Sequence, residues 1–409
     1  MANVAKTNKK VIALALGAVT ETAYLTAGAD KGIDAEMQGK DNGDTIYYKI
    51  TQLGDPTCED VSGNGSADSS LSDTAKAIKQ ATVPVTIKDS HLMLSLKAVE
   101  RQITSIGEDA SDAKIGAKLG KKAVKAVIAN DVKSIGNVFV ANENAPFASF
   151  QSATSFLKAS VEGALYGFMD WQVWGDLTGK GQQAVPCALA KPEFGKGLQG
   201  SWALIDQLRT VNDFDTFTAP ATIAPSGVTA SVSTAGVIKL TGGSSGTIKA
   251  GDLITIAGVY AKDVNDNPTN KLFVFRVKTD ISVGTTEGSD ISASLENFAY
   301  GTSGETEKAQ GWFVPTTAIT AGAVKSVLTA GKSYGLALIR AEGAQAFGSM
   351  KTCDCEGAKY SKSQLDGITV HANGGDNIGD FKTEKRWDML FASKLVEPRA
   401  AALVLYPLD

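Results

Sequence analysis

The stretch of sequence that decides the fold is residues 250–278, AGDLITIAGVYAKDVNDNPTNKLFVFRVK. Two runs rich in β-branched and aromatic residues lie at its ends, and the polar segment between them holds Asn265, Asn267 and Pro268. These three residues favour turns, whereas the flanking runs favour extended strands. The stretch therefore predicts a β-hairpin.

The region around this hairpin has the composition of an all-β domain. From Thr216 to about Ile291 the sequence is rich in Thr, Ser, Val, Gly and Ile and is interrupted by frequent turn signals. Mixed helix and strand patterns return on both sides of this region. We therefore expect a β-domain inserted into a larger α+β protein.

The clearest helix is predicted at Ser111–Ile135, with Gly136 as its stop signal. The apolar residues that share one side of this helix are Ile115, Leu119, Ala123, Ala126 and Val127. The lysines that share the other side are Lys114, Lys118, Lys121, Lys122 and Lys125. Such a pattern predicts a long helix that buries its apolar side and leaves its lysines in solvent.

A long hairpin is predicted nearer the N-terminus. Residues 44–50 and 83–88 each predict a strand, and the polar stretch Gly54–Ala75 between them has no apolar periodicity. Two strands joined by such a loop make an extended hairpin that projects from the body of the protein. Because the loop is too polar to bury much apolar area by itself, we expect it to become ordered only against a neighbouring molecule.

The remaining segments give shorter predictions. In chain order they are a helix at 151–165, β-structure from 172, a short helix at 202–208, a turn of helix at 323–329, a buried strand at 335–339, and closing strands at 367–370, 385–391 and 401–406. Helices and strands therefore alternate along the chain outside the β-domain, which predicts an α+β protein of two or three domains.

Composition and charge limit the function. The chain has 409 residues, of which 43% are hydrophobic, and its formal net charge is −4. These values are typical of a globular protein. No long basic run is present, which argues against a dedicated nucleic-acid-binding surface. Four unevenly spaced cysteines are too few to crosslink a chain of this length, so free thiols in a reducing compartment are expected.

Cys353 and Cys355, with His371 and Asp376 downstream, are the best candidates for a metal site. Two thiolates, an imidazole and a carboxylate satisfy the tetrahedral coordination of zinc. However, a single residue separates the cysteines, whereas zinc sites usually space them by two to four. We therefore expect free thiols and no bound metal.

A catalytic site has little support in the sequence. Residues 242–246 match the G-x-S-x-G pattern around Ser244, but a nucleophile of that type needs a strand-to-helix turn, and this segment lies in the β-rich region. The chain has two histidines, and His91 lies among apolar residues, where a structural role is expected. We predict no catalytic residue, no cofactor and no enzymatic activity.

The N-terminal segment leaves a different class of function open. Lys6, Lys9 and Lys10 precede the apolar run 11–19, and small residues follow, which is the pattern of a secretory signal. The run is too short to span a bilayer. A secreted or surface-exposed, β-rich adhesion or structural protein is therefore the alternative function.

The residues quoted first also carry a resemblance to a known family. Gly251-Asp252 followed by residues 256–259 (IAGV) resembles a segment of the coat proteins of lambdoid short-tailed phages, which carry an inserted β-domain. The segment 395–400 (LVEPRA) is also similar to that family. In the order of its elements the whole chain resembles the major capsid proteins of tailed bacteriophages, which have the Hong Kong 97-type fold.

The resemblance implies a division of the chain into seven segments. They are an N-terminal arm (1–40), an extended β-hairpin loop (41–88), a peripheral domain with a long spine helix (89–140), the first part of an axial domain (141–215), an inserted β-domain (216–300), the second part of the axial domain (301–352), and C-terminal strands that complete the peripheral domain (353–409). The fold class that follows is α+β with an inserted all-β domain.

The function implied by the resemblance is that of a major capsid protein. Copies of the chain would assemble as hexamers and pentamers into an icosahedral shell in the host cytoplasm and reside in the virion. The shell would enclose double-stranded DNA without binding it specifically, and no membrane would take part. No long charged coiled coil precedes the extended loop, so a separate scaffolding protein is expected. The portal protein is a further partner, and a decoration protein is another candidate.

Overall fold

A computed structural model of the chain describes fourteen stretches of it. They are residues 23–52, 79–97, 108–142, 146–181, 198–202, 204–211, 214–233, 236–242, 246–265, 267–297, 318–350, 359–365, 368–377 and 382–408. The N-terminal run 11–19, the loop Gly54–Ala75, Ser244 and the pair Cys353 and Cys355 lie outside these stretches.

Helices and strands both occur throughout the described residues, so the chain is α+β as predicted. The α-helices are α1 (Ala23–Thr26), α2 (Glu108–Ser134), α3 (Pro146–Lys158) and α4 (Trp171–Gly181). The first ten strands are β1 (Thr45–Gln52), β2 (Lys79–Lys97), β3 (Val138–Val140), β4 (Leu165–Met169), β5 (Leu198–Trp202), β6 (Ile205–Thr210), β7 (Phe217–Thr218), β8 (Thr229–Val232), β9 (Ile238–Thr241) and β10 (Gly246–Ile248). The others are β11 (Leu253–Lys262), β12 (Pro268–Arg276), β13 (Ile281–Val283), β14 (Ile319–Ser326), β15 (Ser333–Ala341), β16 (Gln345–Ser349), β17 (Lys359–Leu365), β18 (Ile368–Asn377), β19 (Lys382–Leu395) and β20 (Ala401–Pro407).

The first sheet contains the long hairpin. Its strand order is β1-β2-β19-β18-β17, with β16 also paired to β19. The long helix α2 packs on β2 and β19. Buried residues of the helix, such as Val124 and Val127, belong to the same core cluster as Trp387 and Phe391 of β19. The predicted amphipathic helix and the predicted extended hairpin are therefore built on one sheet.

The second sheet holds most of the apolar core. Its strand order is β3-β20-β15-β4-β6-β5, with β7 also paired to β15. Every residue of β20 is buried, because β3 and β15 flank it on both edges and helix α3 packs against it. The segment 353–409 was expected to complete the peripheral domain. Within it, β19 joins the hairpin sheet and β20 joins this second sheet, so the C-terminal strands connect the two sheets.

The hairpin predicted from residues 250–278 is confirmed as β11 and β12, which pair antiparallel. Gly251 and Gly258 have φ values of +88° and +91°, in the left-handed region that favours glycine. Gly258 lies where the β11–β12 register shifts. The buried Asp252 accepts hydrogen bonds from the Ala224 N–H at 2.9 Å and from the Ser326 hydroxyl at 2.5 Å. Both residues of the Gly251-Asp252 pair therefore have a role in shaping the β-rich region.

Strands β8 to β14 form a module with a hydrophobic cluster of its own, which we call the β-module. Its larger sheet has the order β12-β11-β14-β8-β9, and β10 pairs with β13. Strand β14 (Ile319–Ser326), which follows the predicted limit of the inserted β-domain at residue 300, lies between β11 and β8. The sheet is not continuous without this strand, and the segment 301–352 is therefore divided between the β-module and the second sheet.

This arrangement predicts which fragment of the chain folds alone. We expect residues 216–291 to fail to fold cooperatively, because both β8 and β11 would lose their shared neighbour β14. Residues 214–329 retain it and are expected to unfold in one cooperative transition. Thermal unfolding followed by circular dichroism compares the two fragments. A cooperative transition in the shorter fragment at the temperature of the longer one would contradict the pairing of β14.

Three local predictions were wrong. The predicted helix at 202–208 spans the end of β5 and most of β6, the predicted helical turn at 323–329 includes the end of β14, and the β-structure predicted from 172 is helix α4. The segments 202–208 and 323–329 are too short for their apolar residues to distinguish a helix from a strand, so pairing with neighbouring strands decides their conformation. In α4, by contrast, Val173, Trp174 and Leu177 are buried at helical spacing.

Candidate interaction surfaces

Of the residues considered for a metal or a catalytic site, the structure describes the side chains of His371 and His91. His371 is buried on β18, and its Nε2 atom lies 3.2 Å from the carbonyl oxygen of Met350. No group of three metal-ligating side chains occurs among the described residues. His91, expected to be structural, is on β2 with its side chain 51% exposed, and its Nδ1 atom lies 3.1 Å from Asp89.

The long hairpin presents a surface with two different faces. The side chains buried on one face are Ile46, Val83, Val85 and Ile87, and they form a cluster with Ile33 and Met37 of the segment that precedes the hairpin. The opposite face carries Tyr47, which is 63% exposed, directly across from Pro84. Among the described strands, β1 is at the edge of its sheet, so its outer backbone groups can pair with another chain. This edge and the exposed tyrosine make the hairpin a candidate contact surface.

The segment before the hairpin is held to the body by a buried arginine. Arg340 of β15 is fully buried and donates hydrogen bonds to the carbonyl oxygens of Tyr24 and Ala27 and to the Gln345 side chain. Its guanidinium lies 4.9 Å from the centroid of the Tyr24 ring and 4.7 Å from that of Phe168. Arg340 therefore fixes α1 by forked hydrogen bonding and by contact with two aromatic faces.

A buried carboxylate extends this network to α2 and β19. Asp131 accepts a hydrogen bond from the Tyr24 hydroxyl at 2.9 Å and another from the Leu395 N–H at 3.2 Å. Gln345 donates to the Ser393 hydroxyl at 2.7 Å. One polar network therefore joins the N-terminal segment, the long helix and strands from both sheets.

The electrostatics of this network follow from its burial. Desolvation raises the pKa of Asp131, and the Tyr24 hydroxyl and the Arg340 guanidinium oppose that shift. Desolvation also lowers the pKa of Arg340, while Tyr24 and Asp131 oppose the change. A buried cation and a buried carboxylate that compensate each other are costly to separate, because the remaining charge has no solvent around it.

The C-terminal end of α2 is the joint between the helix and the β-module. Gly136, the predicted stop signal, lies two residues beyond the helix, and its carbonyl accepts a hydrogen bond from the Val274 N–H at 3.0 Å. Asn297 donates to the Ile135 carbonyl at 3.4 Å and to the Val274 carbonyl at 2.7 Å. A side chain at position 136 would collide with the Phe273 ring. The β-module therefore supplies partners for carbonyl groups that follow the helix.

A second contact of the β-module is made by an unusual lysine. The Nζ atom of Lys271 on β12 lies 3.9 Å from the centroid of the Phe139 ring on β3. Burial lowers the pKa of Lys271 to about 8. The aromatic face offsets part of the cost of burying this cation, so Lys271 adds a contact between the module and the second sheet.

The residues that make these contacts were not predicted from the sequence, although the sequence pattern marks two of them as unusual. Arg340 is the one charged residue in the apolar run 334–341, and Asp131 follows the apolar helix positions. A charge at a position that periodicity assigns to the core indicates a buried partner. Asn297 carries no comparable signal, because its partners are backbone groups far away in the sequence.

Comparison with known proteins gives distant structural similarity only. No protein-family model and no curated protein sequence matches the chain. The capsid of Ralstonia phage GP4 is similar at 10% identity and a TM-score of 0.42, over 95% of this chain and 88% of that one. The capsid of the cyanophage P-SCSP1u is similar at 10% identity and a TM-score of 0.41, over 91% and 86%. The virus-like particle protein from Pyrococcus furiosus is similar at 8% identity and a TM-score of 0.40, over 97% and 98%.

Phage capsids are therefore among the solved structures that are similar to this chain. Such distant similarity does not by itself assign a function. Among the described helices, none combines the length and the hydropathy needed to cross a membrane.

Proposed function

We propose that the chain is the major capsid protein of a tailed phage and has the Hong Kong 97-type fold with an inserted β-domain. Copies assemble, with a separate scaffolding protein, into an icosahedral shell around the double-stranded DNA genome in the host cytoplasm. A portal protein and a decoration protein are proposed as further partners. The proposed role is structural, and the mature protein resides in the virion.

The observation that carries this proposal is the position of the long hairpin relative to the long helix. Strand β2 has 19 residues, which corresponds to about 60 Å of extended chain. It enters the sheet on which the 27-residue helix α2 packs, in the order that the sequence resemblance implies. A subunit whose longest strand continues into a hairpin with an exposed edge has contact surface that it does not use itself. The β-module, with its own core, supports the inserted domain.

The alternative, a secreted β-rich adhesion protein, predicts a monodisperse monomer. Negative-stain microscopy of the purified protein separates the two functions, because a capsid protein forms shells or tubes. Particles of uniform curvature are the expected result. A protein that remains monomeric at every concentration, alone and with a scaffolding protein from the same genome, would contradict the proposal.

A loop replacement tests the role of the hairpin directly. Gln52 and Lys79 are paired in the β1–β2 register, so an Asn-Gly turn can connect them in place of residues 53–78. We expect the subunit to melt as the wild type does, since shortening a loop lowers the entropic cost of closing it. We expect shell formation to be lost, because the removed segment is the proposed contact with neighbours. The melting temperature and the electron micrographs are obtained from the same preparation. Intact shells would contradict the proposal that the removed segment contacts neighbouring subunits.

A further inference from the structure

Helix α2 exposes a stripe of lysines that the proposed function has not used. We call Lys118, Lys121, Lys122 and Lys125 the lysine stripe, and all four are exposed. At 100° per residue they lie within about a third of the helix circumference, and they extend over about 10 Å of helix. Among the described side chains of the helix, no carboxylate lies on this face, because Asp131 points inward to Tyr24.

One ion pair of the stripe involves an exposed acidic residue outside the helix. Lys125 bonds Asp215 at 2.8 Å, with both side chains more than half exposed. An exposed pair of this kind contributes up to about 1 kcal/mol and yields readily to a competing anion. Further along the helix, Lys133 lies 3.4 Å from Glu296 of the β-module. The stripe is therefore a local concentration of positive charge on a chain whose net charge is −4.

The composition of the stripe favours a nucleic acid over a protein partner. Protein interfaces are depleted of lysine and are centred on aromatic or large apolar residues. Among the described side chains of α2, the apolar residues exposed near the stripe are Ala126 and Ala129. Phosphate backbones, in contrast, are bound by flexible cations that need no fixed geometry. About 10 Å of duplex presents about six phosphates, which is enough to engage all four lysines.

We propose that the lysine stripe binds the phosphate backbone of double-stranded DNA without reading its sequence. The identification of this DNA as the enclosed genome rests on the proposed function. The chain has no long basic run, which was the expected sign of a nucleic-acid-binding surface. Helical periodicity, however, gathers lysines that are separated in the sequence onto one face.

Salt-dependent binding of the full-length chain to a fluorescent 20-base-pair duplex of random sequence tests the proposal. The stripe variant is Lys118→Gln, Lys121→Gln, Lys122→Gln and Lys125→Gln. The matched control is Lys31→Gln, Lys40→Gln, Lys278→Gln and Lys325→Gln, which removes the same charge from exposed positions elsewhere. The magnitude of the slope of log affinity against log salt concentration should decrease by about 3 to 4 in the stripe variant, since each phosphate contact contributes about 0.9 to that magnitude. The control should keep the wild-type slope.

Three results would overturn the proposal. They are no binding of DNA by the wild-type chain, an equal loss of slope in stripe variant and control, and preferential binding of a polyglutamate peptide of equal charge. If the quadruple variant does not fold, the pairs Lys118→Gln/Lys122→Gln and Lys121→Gln/Lys125→Gln are each expected to lower the slope by about 2. Microscopy of the same proteins keeps the two proposals apart. Shells without DNA binding contradict the stripe alone, and DNA binding without shells contradicts the capsid role alone.

Discussion

Replacing Arg340 with methionine is expected to cost about 3–5 kcal/mol of unfolding free energy, the range for breaking a buried ionic network by removing one partner. The carbonyl oxygens of Tyr24 and Ala27 and the side-chain oxygen of Gln345 would lose their donor. Asp131 would remain buried without a compensating cation. Because a domain of ordinary stability has about 5–15 kcal/mol, a loss of this size should give poorly soluble subunits.

Three further variants isolate the cause of this loss. Arg340→Lys keeps the charge but not the forked hydrogen bonding, so an intermediate loss is expected. Lys239→Met is the surface control, because Lys239 and its partner Glu287 are 41% and 51% exposed and such a pair should contribute about 1 kcal/mol or less. Adding Asp131→Asn to Arg340→Met removes both charges and should recover part of the loss. Urea denaturation measures all four proteins, and a wild-type midpoint for Arg340→Met would refute the anchoring of α1 by this network.

The network also explains why the N-terminal segment was difficult to place from sequence. Residues 23–43 have no strong periodicity, and they contact the body through Tyr24, Ile33 and Met37, which are buried against strands more than 300 residues later. The long helix was predictable because its apolar positions repeat over many turns. The hairpin at 250–278 was predictable because turn residues separate two β-rich runs. In both cases the signal is local.

The interactions that were not predictable are the non-local ones. Nothing in the sequence near Ile319–Ser326 indicates that this strand lies between β11 and β8, because its partners are set by the whole sheet. The same holds for the separation of β19 and β20 into different sheets.

Replacing Trp387 with alanine is expected to have an effect as large as the loss of Arg340. Trp387 is 2% exposed on β19, paired with Leu92 of β2 on one side and with Ala372 of β18 on the other. Its side chain belongs to the core cluster that joins the hairpin sheet to α2. Truncating a buried aromatic residue of this size removes about 3–5 kcal/mol, since it leaves a cavity that the surrounding sheet fills only in part. Subunits of Trp387→Ala should therefore be insoluble or should fail to assemble.

A conservative variant and a surface variant complete this test. Trp387→Phe keeps an aromatic ring at this position, and the indole N–H that it removes has no hydrogen-bond partner among the described residues, so the loss should be smaller than that of Trp387→Ala. Lys122→Ala, on the exposed side of α2, should change stability by less than about 0.5 kcal/mol. If Trp387→Ala melts like the wild type while Lys122→Ala unfolds the subunit, the buried and exposed sides of α2 have been exchanged. The lysine stripe would then face the core, and the proposed peripheral domain and the proposed DNA contact would both be wrong.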